Sequence, residues 1–170
     1  MTEHGGSMKA KRMVFLALLT AIALTLFLVE AQIPIPITGV KLGLSNIVSL
    51  FALCLLGPWD ALTVLVLRCS LGCLLSGQPA TFPYSIVGGI LSLAVMILLR
   101  KVTTDKQIFI VSVFGGIFHN IGQILVAVLI TKTPGVAIYL PILLVAGLLA
   151  GVFTGFAAQY LILHLKKLKH

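Results

Sequence analysis

Residues 39–46, G-V-K-L-G-L-S-N, open directly onto the apolar run I-V-S-L-F-A-L-C-L-L at 47–56. A lysine, two glycines and an asparagine suit the mouth of a plain lipid anchor badly. Lipid satisfies no polar group, and glycine weakens a helix. The run behind them is also short for a hydrocarbon core about 30 Å thick. The pattern predicts a partial or tilted span at 42–56, with irregular backbone just outside it. Such backbone survives at membrane depth only where protein or a cavity surrounds it. A bundle must therefore enclose this segment.

Apolar runs recur on both sides. The 170-residue chain is 59% hydrophobic and 9% charged, with mean hydropathy +1.18. That is too little charge to cover a soluble domain. The expected fold is an all-α integral membrane protein, a six-transmembrane-helix bundle with spans at 12–30, 42–56, 59–76, 84–100, 107–130 and 137–164. No hydrophilic stretch is long enough for a second domain, so 9–170 reads as a single membrane domain. Residues 1–8, which begin M-T-E-H-G-G-S and end on a second methionine, read as a disordered leader or a remnant of expression. The first apolar run lacks a small-residue cleavage site, so it reads as a retained helix.

Lysine and arginine set the expected orientation. With six spans, Lys9, Lys11, Arg12, Arg100, Lys101, Lys106, Lys166, Lys167 and Lys169 fall on one side; Lys41 and Lys132 fall on the other. The positive-inside rule then places both termini in the cytoplasm. The net charge of +8 is thus accounted for by topology and contact with anionic lipid, and no nucleic-acid partner is expected. Gly57-Pro58 predicts a tight turn, followed by Trp59 as an interfacial anchor. Cys54, Cys69 and Cys73 lie inside apolar runs. Cys69 and Cys73 share a helix face, but no His or carboxylate beside them completes a metal set, so they read as small buried apolar residues.

Two helices carry stripes of small residues, which let helix backbones approach closely in lipid. Gly147, Gly151 and Gly155 line one stripe of the sixth helix, where docking on the chain's own bundle is expected. Ala17, Ala21 and Thr25 repeat every four residues on the first helix. An outward stripe of that kind could equally grip another membrane subunit.

Polar side chains inside the apolar runs mark a candidate site, since such groups are costly in hydrocarbon and usually face a cavity or a partner. Arg68 lies about 14 Å up the third helix, and His119, Asn120 and Gln123 about 18 Å up the fifth. His119 and Gln123 share a face, with Gly115, Gly116 and Gly122 leaving room beside it for a ligand or another backbone. Glu30 and Gln32 close the first helix, and Lys41 and Asn46 stand at the mouth of the second. Lys41 and Arg68 against Glu30 give the cluster a positive bias, which an anion such as a phosphate or diphosphate headgroup would balance. The competing expectation is an internal Arg68–Glu30 pair. On the first expectation, residues 39–46 form the lip of an outward-facing pocket.

The runs I-P-I-P-I-T-G-V-K-L-G-L-S-N-I-V, S-I-V-G-G-I-L-S and G-G-I-F-H-N-I-G-Q resemble the bacterial Gx transporter family, also described as heptaprenyl diphosphate synthase component I. The resemblance runs from about Lys9 to the C-terminus. That family is similar to the substrate-binding S components of energy-coupling factor importers, which are small six-helix proteins. The similarity implies that Ala17, Ala21 and Thr25 contact a coupling transmembrane subunit whose cytoplasmic ATPases power transport. It also implies a small-molecule substrate, such as a flavin, a vitamin precursor or an isoprenoid or quinone precursor. Glu30, Lys41, Asn46, Arg68, His119, Asn120 and Gln123 would line its pocket. The second family description implies instead an accessory membrane subunit of a soluble prenyl synthase.

Catalysis is not expected. Prenyl transfer needs aspartate-rich Mg²⁺ sites, whereas the acidic residues are Glu3, Glu30, Asp60 and Asp105, no two of them close together. No G-x-x-x-x-G-K-[ST] loop, catalytic triad or metal-ligand spacing occurs, and no cofactor is expected.

Overall fold

The computed structural model describes residues 3–33 and 41–167, apart from the side chains of 3–9 and 166. Gly39 and Val40 of the lip, most of the proline-rich stretch before them and residues 168–170 of the basic tail lie outside the described residues. Six α-helices follow one another: α1 (Glu3–Glu30), α2 (Asn46–Leu55), α3 (Pro58–Leu75), α4 (Phe82–Arg100), α5 (Ile108–Thr131) and α6 (Leu140–Lys167). Short 3₁₀ turns at Pro79–Thr81, Asp105–Gln107 and Pro134–Tyr139 lead into α4, α5 and α6. No strand occurs among the described residues. The helix of α1 also covers positions 3–8, ahead of the span expected from hydropathy.

Among the described residues, five segments are long and apolar enough to cross a membrane: Ala10–Glu30, Pro58–Leu75, Pro79–Arg100, Asp105–Thr131 and Pro134–Leu165. The chain is a multi-pass membrane protein. With 10 residues, α2 is about 15 Å long, half the thickness of the hydrocarbon core. It is buried along most of its length and touches each of the other five helices. The half-helix expected from 39–56 is thus the centre of the bundle, with Leu50 and Ala52 wholly buried.

The helices run up and down in chain order. Gly57, at φ +110°, turns the chain between α2 and α3, and Pro58 takes the first helical position, where its missing N–H is no loss. At this end Arg12 of α1 grips Asp60 of α3 through both carboxylate oxygens, with Nη2 at 2.7 Å from each. Arg100 likewise pairs with Asp105 across the α4–α5 connection. Trp59 is exposed, as an interfacial anchor would be. Glu30, the start of α2 and the start of α4 lie at the opposite end.

Glycine brings α4, α5 and α6 into backbone contact. A Cβ on Gly122 would lie 2.8 Å from the Cα of Gly88, and one on Gly116 would lie 2.5 Å from the carbonyl oxygen of Gly147. Gly151 and Gly155 press in the same way on the backbones of Val113 and Phe109. The α6 stripe therefore serves intramolecular packing, as expected. The space beside Gly116 and Gly122 is filled by neighbouring backbone, and that beside Gly115 by Met96 and Ser92. Of the two uses anticipated for those glycines, close packing is the one observed. We predict that Gly116→Ala destabilises the protein by about 1–3 kcal/mol through overpacking. Gly135→Ala should be near neutral, because its nearest neighbour would be 3.8 Å away. Thermal unfolding in detergent measures both.

Candidate functional site

Residues 41–45 close one end of the bundle, and the local backbone dictates what gathers beneath them. Gly43 adopts φ +84°, a left-handed conformation that glycine tolerates best. Beyond it the first turn of α2 forms: the N–H groups of Asn46, Ile47 and Val48 donate to the carbonyls of Gly43, Leu44 and Ser45. The N–H groups of Gly43 and Leu44 therefore have no helical acceptor. Both donate to one oxygen of the buried Glu30 carboxylate, Leu44 at 3.1 Å, and the Ser45 hydroxyl reaches the other at 3.4 Å. The carboxylate also sits where the α2 dipole favours a negative charge.

Arg68 enters from the middle of α3 and is 1% exposed. One terminal nitrogen donates to the Ser45 hydroxyl and the other to Asn46 Oδ1 at 2.5 Å. The direct Arg68–Glu30 pair that the sequence allowed does not form; Ser45 stands between them. Lys41, in the connection ahead of α2, places Nζ 3.3 Å from the centroid of the Phe27 ring. Gly72 makes space for that ring, since a Cβ there would lie 2.4 Å from it. Desolvation pushes the Lys41 ammonium below its ordinary pKa, so a neighbouring anion would favour its charged form.

The amides fix the remaining proton positions. The Lys41 backbone N–H donates to Gln123 Oε1 at 3.0 Å, which makes Gln123 Nε2 the donor toward His119 Nε2 at 2.9 Å. His119 Nε2 must accept, so the neutral ring carries its proton on Nδ1, beside the backbone of Gly88. The close α4–α5 crossing at Gly88 and Gly122 brings His119 and Gln123 up to the lip.

Phe27, Glu30, Lys41, Ser45, Arg68, Cys69, Ser85 and His119 surround a small cavity. Its free centre has room for little more than a water-sized body. Lys41 Nζ and Arg68 Nε here, and Asn46 Nδ2 beside Gly43, are buried without hydrogen-bond partners, as is Ser85 Oγ. The first three can only donate. The centre is thus supplied with donors and short of acceptors, an arrangement that an anion satisfies and a cation does not.

Of the residues singled out in the sequence, Glu30, Lys41, Asn46, Arg68, His119 and Gln123 come together here. Asn120 does not: it points to α6 and donates to the Leu143 carbonyl at 2.5 Å. Ala17, Ala21 and Thr25 lie exposed on α1, away from this centre, and Thr25 Oγ1 turns back to the Ala21 carbonyl at 3.0 Å. Phe27, Ser45, Cys69 and Ser85 were not singled out as site residues in the sequence. Ser45 lay within the quoted lip and Cys69 beside Arg68; Phe27, one turn before Glu30, offered no polar signal.

The family model described as heptaprenyl diphosphate synthase component I matches residues 19–161, well over half of the chain. No curated protein matches. No solved structure matches either. Replacing Gln123 by leucine would strip partners from the Lys41 N–H and His119 Nε2. We predict a loss of about 1–3 kcal/mol for each buried group left unpaired, read as a lower unfolding temperature and faster amide exchange at Lys41.

Proposed function

The chain belongs to the heptaprenyl diphosphate synthase component I family, and we propose that it is a non-catalytic membrane subunit that holds an anionic, amphipathic molecule by its headgroup. The observation that carries this reading is the pair of buried, unpartnered donors on Lys41 and Arg68 around one cavity. Phosphate oxygens are the acceptors best matched to an arginine and a lysine at such a place. The family description names a prenyl diphosphate, whose headgroup has this chemistry and whose tail is apolar. An apolar groove lined by Leu19, Ile22, Leu26, Val48, Phe51 and Ala158 runs between α1, α2 and α6, and α1 also lines the cavity. In this reading the groove takes the apolar tail. The distribution of lysine and arginine supports an orientation with both termini in the cytoplasm and the cavity toward the outer face, in this reading of a bacterial cytoplasmic membrane.

In this reading the partner is the soluble catalytic component of a prenyl diphosphate synthase. Binding of farnesyl diphosphate to the purified protein, compared with farnesol, tests the headgroup claim. The diphosphate should bind more tightly, and Lys41→Gln and Arg68→Gln should each weaken it about 10- to 100-fold, the scale of a charged hydrogen bond. Equal affinity for the alcohol, or binding unchanged in both variants, would exclude it.

A second reading, an S-component-like subunit that captures its ligand for an ATP-driven coupling complex, is favoured by the exposed Ala17–Ala21–Thr25 stripe. Ala17→Leu or Ala21→Leu should then reduce co-purification with a second membrane subunit and its ATPases while farnesyl diphosphate binding persists. Unchanged association would count against coupling through that face, and recovery of a soluble prenyl synthase instead would favour the accessory role.

A further inference from the structure

We propose that Glu30 is a resident anion, whose carboxylate occupies the place that the ligand's phosphate takes, and that binding exchanges one for the other. This rests on the reading of the cavity as an anion site. The N–H groups of Gly43 and Leu44, ahead of a ten-residue helix, are donors of the kind that cradle phosphate. Here they hold Glu30, together with the Ser45 hydroxyl. Arg68 donates to that same hydroxyl, so a phosphate on these amides would lie within reach of the guanidinium.

Two observations place the exchange at this point. The free centre of the cavity is too small for a phosphate, while the unpartnered Lys41 Nζ and Arg68 Nε remain buried beside it. Room for a phosphate appears when the carboxylate leaves. Charge points the same way: with Glu30 in place, Lys41 and Arg68 leave the centre one positive charge in excess, and with Glu30 withdrawn, two. A ligand with two or more negative charges is therefore matched by the exchanged state, whereas a monoanion is matched by the resident one. Glu30 is the last residue of α1, and Gln32 just beyond it is exposed. A change confined to the last turn of α1 carries the carboxylate outward. Occupancy of the site is thereby coupled to the end of α1.

Calorimetric titration of the detergent-purified protein with inorganic pyrophosphate tests this with wild type, Glu30→Gln, and Arg68→Gln as the binding-deficient reference. Removing the competing charge should tighten pyrophosphate binding by about tenfold or more. Binding by Glu30→Gln where wild type is silent would support the same conclusion. Equal or weaker binding by a normally folded Glu30→Gln protein overturns the exchange but leaves the anion site standing. Binding that is absent in both, or insensitive to Arg68→Gln, overturns the anion site and the exchange with it. Hydrogen exchange on wild type covers the case in which Glu30→Gln fails to fold. Pyrophosphate should leave the Gly43 and Leu44 amides protected while residues 27–31 exchange faster; unaltered exchange at 27–31 overturns the proposal.

Discussion

Two cations, Lys41 and Arg68, are held out of water with a single carboxylate among them, and the rest of the structure is arranged around that constraint. Removing a partner from a buried charge costs about 3–5 kcal/mol, so every neighbour has to contribute. Glu30 supplies the opposing charge, Phe27 offers its ring face to Lys41, and Ser45 and Asn46 accept from Arg68. What is left over is a set of donors without acceptors. On the reading proposed above, the group that matches them is an anion.

The half-length of α2 makes this arrangement possible. A full span in its place would run its own hydrogen bonds through the region and expose neither the Gly43 nor the Leu44 N–H. Because α2 starts only at Asn46, the irregular backbone ahead of it is satisfied by Glu30, while α2 itself packs against the five other helices. Backbone contact at Gly88–Gly122 and Gly116–Gly147 then draws α4, α5 and α6 tight behind the site. The same closeness that stabilises the bundle leaves the cavity small, so on the proposed reading entry of a headgroup requires something inside to move. Glu30 stands at the end of α1, close in sequence to the exposed Gln32.

Much of this was legible in the sequence because membranes simplify the code. Six apolar runs gave helices close to those observed, and lysine and glycines ahead of an undersized run marked α2 as unusual. Arg68, His119 and Gln123 stood out because ionisable and amide groups in hydrocarbon need a reason. Legibility failed where helical phase alone decided the outcome. Asn120 is adjacent to His119 in sequence, yet one residue turns a helix by about 100°, enough to aim it at Leu143 on α6 instead of the cavity. Glu30 looked like a direct partner for Arg68, because sequence carries no sign that two orphan amides at the start of α2 would claim it first. The pairing of Arg12 with Asp60 was hidden for a similar reason: the arginine was explained by topology, and nothing local announced a partner 48 residues away.

The central claim is that the protein's own membrane supplies an anionic molecule to the Lys41–Arg68 centre. Native mass spectrometry of the protein released from that membrane, with phosphorus analysis of whatever dissociates from it, tests this most directly. The account predicts a retained phosphorylated amphiphile, present on wild type and absent when Arg68 is replaced by glutamine. A bare polypeptide mass, or an uncharged lipid held equally by both forms, would contradict it.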